Sequence, residues 1–525
     1  MNKYEVESVS IVGVGGSGAF YIAQFLLLCG VDVYGYDLKK SDRTALLEDM
    51  GAVMIYENPT EPFESSYYIY THGMNPKEIE KLKQRNIDIE GYEVGEMYLN
   101  IINDYEDGLL SEKQQKAFHD SKLAPLYSLD FEDTRLIAVT GTDGKTSSCS
   151  MIYHILKENG YKPALISTVS ALIGDDEIDT GFHTTTPSSQ ELFDLLVRAK
   201  EAECTHIVLE ATSHGLCQGR IAGLKFDTLG YTNVTNDHLD YHKTYEKYLE
   251  AKSLLIKDHS KPNSVIVLNM DDKSYEYLNG FALGRSMEYS LKNEDADIYA
   301  YDIDDSNGLK FKVKTVSNTE SIYIPIYGTY NISNFLLACG VCMNEQIELQ
   351  DISRAIKTFK TVKGRMELLQ SEPFKVFVDF AHTPNSILEA LMSIRKITEG
   401  KIIHVFGSAG LRDPSKRYEM GKTSNQLADI TILTAEDPRT ESLKEINDEI
   451  ERGYRDGGKE NKLFRFDYDD KDVQVRVDAI KKAFCLAKDK DTVIITGKAH
   501  EQSLCFGDKE YDWDDIKESK KLLNL

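Results

Sequence analysis

Thr140-Gly141-Thr142-Asp143-Gly144-Lys145-Thr146 follows the apolar run Leu136-Ile137-Ala138-Val139 and precedes a helical pattern that starts at Ser147. A buried strand, a glycine turn and a helix in that order predict a loop whose backbone N–H groups converge on phosphate oxygens. Lys145 supplies a point charge for the terminal phosphates, and the Thr146 hydroxyl suits Mg²⁺. The generic loop reads GxxxxGK[ST], and the position five before Gly144 is Val139, so this is a shortened form of it. A Gly-Lys-Thr turn without function is the competing reading, and a preceding buried strand makes it the weaker one.

Outward from the loop, short β-branched runs alternate with helical patterns, the sign of α/β units with mainly parallel sheets. The first region reads as a strand at 8–13, a glycine turn, a helix at 17–30 and a strand at 31–36. The middle region offers strands at 135–140, 164–169, 206–210, 228–233 and 264–269, and the last at 375–380, 401–407, 428–434 and 491–497. Joints are expected around 103–133 and near Lys360–Gly364, which gives an α/β chain of three domains. These are a Rossmann-like domain over 1–105, a phosphate-loop ATPase domain over 106–362 and a second Rossmann-like domain over 363–525. A length of 525 residues suits that number.

A net charge of −25 argues against generic binding to nucleic acid or an anionic membrane. Residues 9–31 are uncharged and largely apolar, yet Gly13, Gly15, Gly16 and Gly18 cluster at their start and Glu5 and Glu7 precede them. A strand, turn and helix explain that segment better than a signal or membrane span, and a cytoplasmic monomer is expected. The eight cysteines are too sparse for a disulfide scaffold, and Cys339 and Cys342 read as buried helix residues rather than a zinc or redox pair.

Ligands of open α/β sheets bind beyond the carboxyl ends of strands, and the unusual residues stand there. Glu210 closes the run at 206–210, a carboxylate placed to hold Mg²⁺ through oxygen. After the run at 228–233 comes Asn233-Val234-Thr235-Asn236-Asp237-His238-Leu239-Asp240-Tyr241-His242, which suits an ATP–Mg²⁺ site better than zinc. Taken alone, that loop reads equally well as structural.

At this point the residues resemble a known family, the Mur ligases, ATP-dependent amide-forming enzymes that build the peptide of peptidoglycan precursors. The likeness runs over nearly the whole chain. It is carried by GTDGKT (141–146), TTTP (184–187), LEATSHGLCQGR (209–220), TNVTNDHLDYH (232–242), AKSLL (251–255) and LNMDD (268–272). Further on stand YNISN (330–334), GRME (364–367), VDFAHTP (378–384), GSAGLRDPSKR (407–417), EDPR (436–439) and GKAHE (497–501). The middle and last domains look most like the member that adds the third residue, joining an amino acid to UDP-N-acetylmuramoyl-L-alanyl-D-glutamate.

The resemblance implies that a substrate carboxylate takes the ATP γ-phosphate to give an acyl phosphate, which the incoming amine then displaces. Lys145, Glu210, His238 and Lys252 would be the catalytic set. Gly141, Thr142, Asp143, Gly144, Lys145, Thr146, Ser147, Asn331, Asn334, Arg365 and Asp379 would hold ATP. Thr146 and Glu210 would hold one Mg²⁺ and His238 would help with a second, while Lys252 matches a lysine that becomes carbamylated and ligates metal. Thr185, Thr186, Ser213, Gln218 and Arg220 would face the UDP-muramoyl-peptide, and Arg412, Asp437, Arg439, Gly497 and Glu501 would complete the substrate contacts.

Two stretches depart from the third-residue pattern. Ile11-Val12-Gly13-Val14-Gly15-Gly16-Ser17-Gly18, with Asp37 after the second strand, looks like the first domain of the alanine-adding ligase. Read without the family it is a weak dinucleotide fingerprint that would suggest a dehydrogenase. With it, Gly15, Ser17 and Gly18 would cradle the UDP diphosphate and Asp37 would meet the uridine. In the amino-acid pocket, Glu436-Asp437-Pro438-Arg439 stands where diaminopimelate-adding members usually carry DNPR, and Ala499 stands where glycine is usual. Arg439 can pair with a carboxylate, and Asp437 would face an amine or Arg439 itself. Diaminopimelate, lysine and ornithine stay open, as do a related ligase (alanine adder, recycling enzyme or pseudomurein ligase) and a non-catalytic nucleotide-binding paralogue.

Overall fold

The computed structural model describes residues 4–71, 74, 76–86, 90–121, 123, 125–178, 186–282, 285–468 and 472–524, and the chain forms two compact units. The first comprises Met1–Glu132, Thr186–Lys200 and Thr212–Lys225, and the second comprises Asp133–Thr185, Glu201–Ala211 and Phe226–Leu525.

The first unit is built on a five-stranded parallel sheet of β1 (Ser8–Val12), β2 (Asp32–Tyr36), β3 (Val53–Ile55), β4 (Tyr67–Tyr70) and β5 (Glu90–Glu93). Its order is β3-β2-β1-β4-β5, so the chain reverses direction across the sheet at β1. Val9 and Ile11 of β1 are fully buried, which explains the uncharged stretch as sheet core running into the helix α1 (Ser17–Cys29). Among the described residues no helix is long and apolar enough to cross a membrane. The helices α2 (Val94–Glu106) and α3 (Glu112–Asp120) pack on α1 around Phe25, Leu26, Ile101 and Phe118.

Among the described residues, the second unit holds two large sheets and a two-stranded hairpin. The larger contains β6 (Arg135–Thr140), β7 (Pro163–Ile166), β8 (Ala171–Ile173), β9 (Asp176–Ile178), β10 (His206–Glu210) and β11 (Phe226–Tyr231). It continues with β12 (Ser260–Asn269), β13 (Arg285–Ser290), β14 (Ile298–Asp304), β15 (Leu309–Thr315) and β16 (Thr319–Ile324). The order is β16-β15-β14-β13-β12-β11-β6-β10-β7-β8-β9, parallel from β14 to β7 and antiparallel at both edges. β15 alternates strictly, with Leu309, Phe311, Val313 and Thr315 buried and Lys310, Lys312 and Lys314 exposed, as suits a sheet wetted on one face. The helices α4 (Lys145–Glu158), α5 (Tyr245–His259) and α6 (Tyr330–Asn344) belong to this part, and Cys339 and Cys342 lie buried on α6.

The smaller sheet contains β17 (Glu367–Gln370), β18 (Lys375–Asp379), β19 (Ile402–Phe406), β20 (Ile430–Leu433), β21 (Lys462–Arg465) and β22 (Thr492–Thr496). Its order is β17-β18-β22-β19-β20-β21, with only β17 antiparallel. The hairpin of β23 (Ser503–Phe506) and β24 (Lys509–Asp512) follows, along with the helices α7 (Pro384–Ile397), α8 (Gln474–Leu486) and α9 (Asp515–Leu523). Its core joins Val376, Val378, Ile403, Val405, Ile432 and Ile495.

Candidate functional site

β6 lies between β11 and β10, so the loop after it opens among the carboxyl ends of neighbouring parallel strands. The helix begins at Lys145, two residues before the expected Ser147, because Gly144 takes the N-cap at φ 88°. That left-handed φ favours glycine, and a Cβ there would lie 2.1 Å from Asn334 Oδ1. Lys145, Thr146 and Ser147 therefore form the first turn, whose N–H groups have no partner within the helix.

The loop is held from the next strand end. Asn233 accepts the Thr142 N–H on its carbonyl (2.7 Å) and the Asp143 N–H on its side chain (3.0 Å). Thr142 Oγ1 takes the Thr235 N–H at 3.0 Å and lies 3.1 Å from the Tyr248 hydroxyl. Asn233 and Tyr248 were not among the site residues read from sequence, although Asn233 sits in a quoted motif.

Glu210 and Thr146 meet directly. The Thr146 hydroxyl lies 3.1 and 3.0 Å from the two Glu210 oxygens, and Glu210 also accepts the N–H and hydroxyl of Thr168, at 3.1 and 3.0 Å. Glu210 is 2% exposed, so an anionic oxygen is held in a dry place beside a phosphate loop. Lys145 Nζ donates to the carbonyls of Gly141 (3.1 Å) and Thr142 (2.9 Å). Lys252, 1% exposed, donates to the Gly141 carbonyl at 2.6 Å and lies over the Tyr248 ring. His238 caps the short helix Leu239–His242 with φ 53° and pairs with Asp237 at 3.4 Å. Burial, with Lys252, Lys145 and Lys416 nearby, holds its imidazole below the usual range against the pull of Asp237.

From the part of the chain after 362, Arg365 donates to the Thr146 hydroxyl at 3.2 Å and stacks on Phe380. Its other terminal nitrogen is buried without a partner among the described residues, which leaves a guanidinium donor for an incoming anion. Asp379 accepts the N–H groups of Met366 (2.7 Å) and Ala381 (2.8 Å) and so fixes the turn that carries Arg365. Asn385 donates to Asp143 at 3.2 Å, and Asn334 donates to Asn331 at 2.9 Å. Burial and the neighbouring Asp237 push the Asp143 carboxyl up. His382 is half-buried, donates from Nδ1 to the Phe380 carbonyl, and is pushed down to about 3 by desolvation and the nearby Lys416.

This donor set fits Mg²⁺ and a nucleotide triphosphate. Its convergent oxygens are hard, a carboxylate and a hydroxyl, and the cations Lys145 and Arg365 stand beside first-turn N–H groups. Among the described residues no three His, Cys, Asp or Glu side chains gather as a metal-binding group.

At the carboxyl ends of β20 and β22 lies a second constellation. Asp437 accepts Lys498 Nζ at 2.8 Å and the Cys505 N–H at 2.9 Å, so Lys498 takes the place expected for an amine or Arg439. Arg439 donates to the Gly410 carbonyl at 3.2 Å. Asp437 and Arg439 have φ of 43° and 53°, strained left-handed backbone at a site. Ala499 has φ 43° as well, the conformation for which glycine is suited, and it is fully buried. Gly497 comes so close to Glu436 that a Cβ would lie 2.4 Å from its Oε2. Burial pushes the Glu436 carboxyl up to about 8, despite Lys416 and Arg476. Arg412 is exposed, and Glu501 pairs with Lys498 at 2.5 Å.

Residues 139–342 match the Mur ligase middle domain, 364–499 the Mur ligase glutamate ligase domain, and 8–105 the Mur ligase family catalytic domain. The UDP-N-acetylmuramoyl-L-alanyl-D-glutamate–2,6-diaminopimelate ligase 1 of Clostridium acetobutylicum is 35% identical over 396 residues, 75% of this chain and 78% of that one. The chain belongs to the Mur ligase family. Mur ligases are ATP-dependent and ADP-forming, so this chain is an ATP-dependent ligase. Two solved Mur ligase folds span the chain almost end to end. A pseudomurein peptide ligase type C from Methanothermus fervidus covers 99% of both chains (TM-score 0.56, 16% identity). A UDP-N-acetylmuramate–alanine ligase from Thermotoga maritima covers 98% of both (TM-score 0.51, 18% identity).

Within the first unit of this Mur ligase, Asp37 Oδ2 accepts the Gly15 N–H at 2.9 Å and so caps the glycine turn. Gly18 lies in the first turn of α1, and the side chain of Ser17 lies outside the described residues, as does Thr185. Thr186, Thr212 and Arg220 form one cluster. The Thr186 and Thr212 hydroxyls are 2.9 Å apart, and Arg220 donates to the Thr186 carbonyl at 2.6 Å and to Gln218 at 3.0 Å. Ser213 opens the helix Ser213–Cys217, which Thr212 caps by accepting the Gly215 N–H.

Proposed function

We propose that this Mur ligase adds the third amino acid, diaminopimelate or a lysine-like residue, to UDP-N-acetylmuramoyl-L-alanyl-D-glutamate during peptidoglycan precursor synthesis. The observation that carries the reading is 35% identity, over three quarters of the chain, to a ligase named for that reaction. A carboxylate of the nucleotide-linked peptide attacks the γ-phosphorus of ATP, ADP leaves, and the acyl phosphate is attacked by the amine with loss of phosphate and a proton. Lys145 and Arg365 offset charge on the transferred phosphoryl group, and Thr146 and Glu210 hold Mg²⁺. Bound there, Mg²⁺ neutralises phosphate charge and orients the terminal phosphate. His238 helps hold a second ion, and Lys252, carbamylated, turns a cation into a carboxylate-like ligand.

Asn331, Asn334 and Asp379 support the nucleotide, while Thr186, Ser213, Gln218 and Arg220 face the muramoyl-peptide and Gly15, Gly18 and Asp37 its UDP end. Arg412, Asp437, Arg439, Gly497 and Glu501 take the amino acid. We place the domain boundaries at 1–105, 106–362 and 363–525 and the enzyme in the cytoplasm as a monomer, independent of nucleic acid and membrane.

A second reading, a Mur ligase with another acceptor, is favoured by the end-to-end fold likeness to an alanine ligase and a pseudomurein ligase. ADP release separates the two. The assay uses the UDP-muramoyl-dipeptide with a panel of amino acids, and UDP-muramic acid with alanine or tripeptide. Turnover is expected with the dipeptide, and turnover only with UDP-muramic acid overturns the first reading.

A further inference from the structure

β20 and β22 flank β19, so the loops that leave them face one another across one strand at the carboxyl edge of the smaller sheet. Three carboxyl groups stand there: Glu436, Asp437 and Glu501. Against them stand Lys498 and Arg439, with Lys416 acting on Glu436, while Arg476 is already matched by Asp515 at 2.7 Å. Lys498 is 1% exposed, with its Nζ 2.8 Å from Asp437 and 2.5 Å from Glu501. A lysine this deep is not placed for solubility, because burying an ammonium is costly unless it is paired. Two polar atoms beside it, Glu436 Oε2 and His500 Nδ1, are buried without partners among the described residues. Unsatisfied buried groups at the carboxyl end of a parallel sheet mark a place where a polar ligand completes the bonding.

We propose that Lys498 is a specificity-determining residue for the incoming amino acid, because it ties Asp437 to Glu501 and so sets the charge of the pocket they line. With the lysine in place, one negative charge is cancelled, and the pocket tolerates a distal end that carries a carboxylate as well as an ammonium. Without it, the two carboxylates stand uncompensated, repel a substrate carboxylate and favour a lone ammonium. Arg439 then lacks the charge to offset both acids. This inference rests on the third-residue reading above.

A charge series tests it: Lys498→Met, Asp437→Asn, and the two combined, each assayed for kcat/KM with meso-diaminopimelate and with L-lysine beside the melting temperature. Asp437→Asn keeps an oxygen to accept from Lys498 and changes only the charge. The ratio of diaminopimelate to lysine is expected to fall at least about tenfold in Lys498→Met and to rise in Asp437→Asn. In the double variant it should return to within about threefold of the wild type. If Lys498→Met does not fold, Asp437→Asn still reads the rise and the double variant the return to the wild-type ratio. Ratios that stay fixed while both activities and the melting temperature fall together would make Lys498 a structural staple and overturn the inference. Wild-type enzyme that used only UDP-muramic acid would instead remove the third-residue reading, and this inference with it.

Discussion

The Thr146 hydroxyl sits within 3.1 Å of both carboxylate oxygens of Glu210, which joins the phosphate loop to the end of the neighbouring strand. Glu210→Gln keeps the volume and an oxygen for Thr146 and Thr168 but removes the charge. ADP release is expected to fall by about 10²-fold or more, because the charge proposed to hold Mg²⁺ is lost. The melting temperature should stay within about 5 °C of the parent. Wild-type ADP release in this variant would remove Glu210 from the metal site.

Lys252 gives a second expectation. It is buried against Tyr248 and the Gly141 carbonyl, where an unmodified ammonium and a carbamate would act with opposite charge. Lys252→Ala should lose turnover, and a small carboxylate such as acetate should restore part of it. Rescue by methylammonium instead would assign Lys252 a cationic role, and full activity without rescue would leave it no role in the chemistry.

Much of this was legible in the sequence, because buried parallel strands are continuous apolar runs and their carboxyl ends carry the chemistry. The runs at 135–140 and 206–210 became β6 and β10 with those bounds. The antiparallel edge was passed over, although Leu309 to Thr315 alternates apolar and lysine with period two, a pattern that was available to read. β4 and β5 were missed for another reason: each is only four residues long, and Glu-Gly-Tyr-Glu carries no apolar run. In the site, Glu210 could be placed from its position after a strand. The partners of Asp437 could not, since Lys498 lies 61 residues away and only folding brings them together.

Arg476 and Asp515 supply a third test. Both are fully buried, and Arg476 also donates to the carbonyls of Ala435 and Thr496, each at 2.9 Å. Asp515 accepts the Ala499 N–H at 3.0 Å, so one ion pair anchors both loops of the proposed amino-acid pocket. Arg476→Met alone should destabilise by about 3–5 kcal/mol, because it strands a buried carboxylate. Arg476→Met with Asp515→Leu should regain most of that stability, yet KM for the amino acid should stay raised while KM for ATP is unchanged. Recovery of both together would reduce the pair to a structural role.

Glu436 gives the last. Burial raises its carboxyl from 4.5 to about 8, so between those values the native chain holds a proton that the unfolded chain has released. Stability then falls as pH rises, since the slope follows the protons bound by the unfolded state minus those bound by the native one, here negative. The contribution is fully present below about pH 4.5 and is lost as pH climbs through about 8. Glu436→Gln stays neutral throughout and lacks this term. The melting temperature of the wild type minus that of Glu436→Gln, followed from pH 5 to 9, should decline steadily and level off above about pH 8. A difference that is flat over that span would show that Glu436 ionises freely in the folded protein, and the buried, unpartnered carboxyl beside Gly497 would have to be solvated.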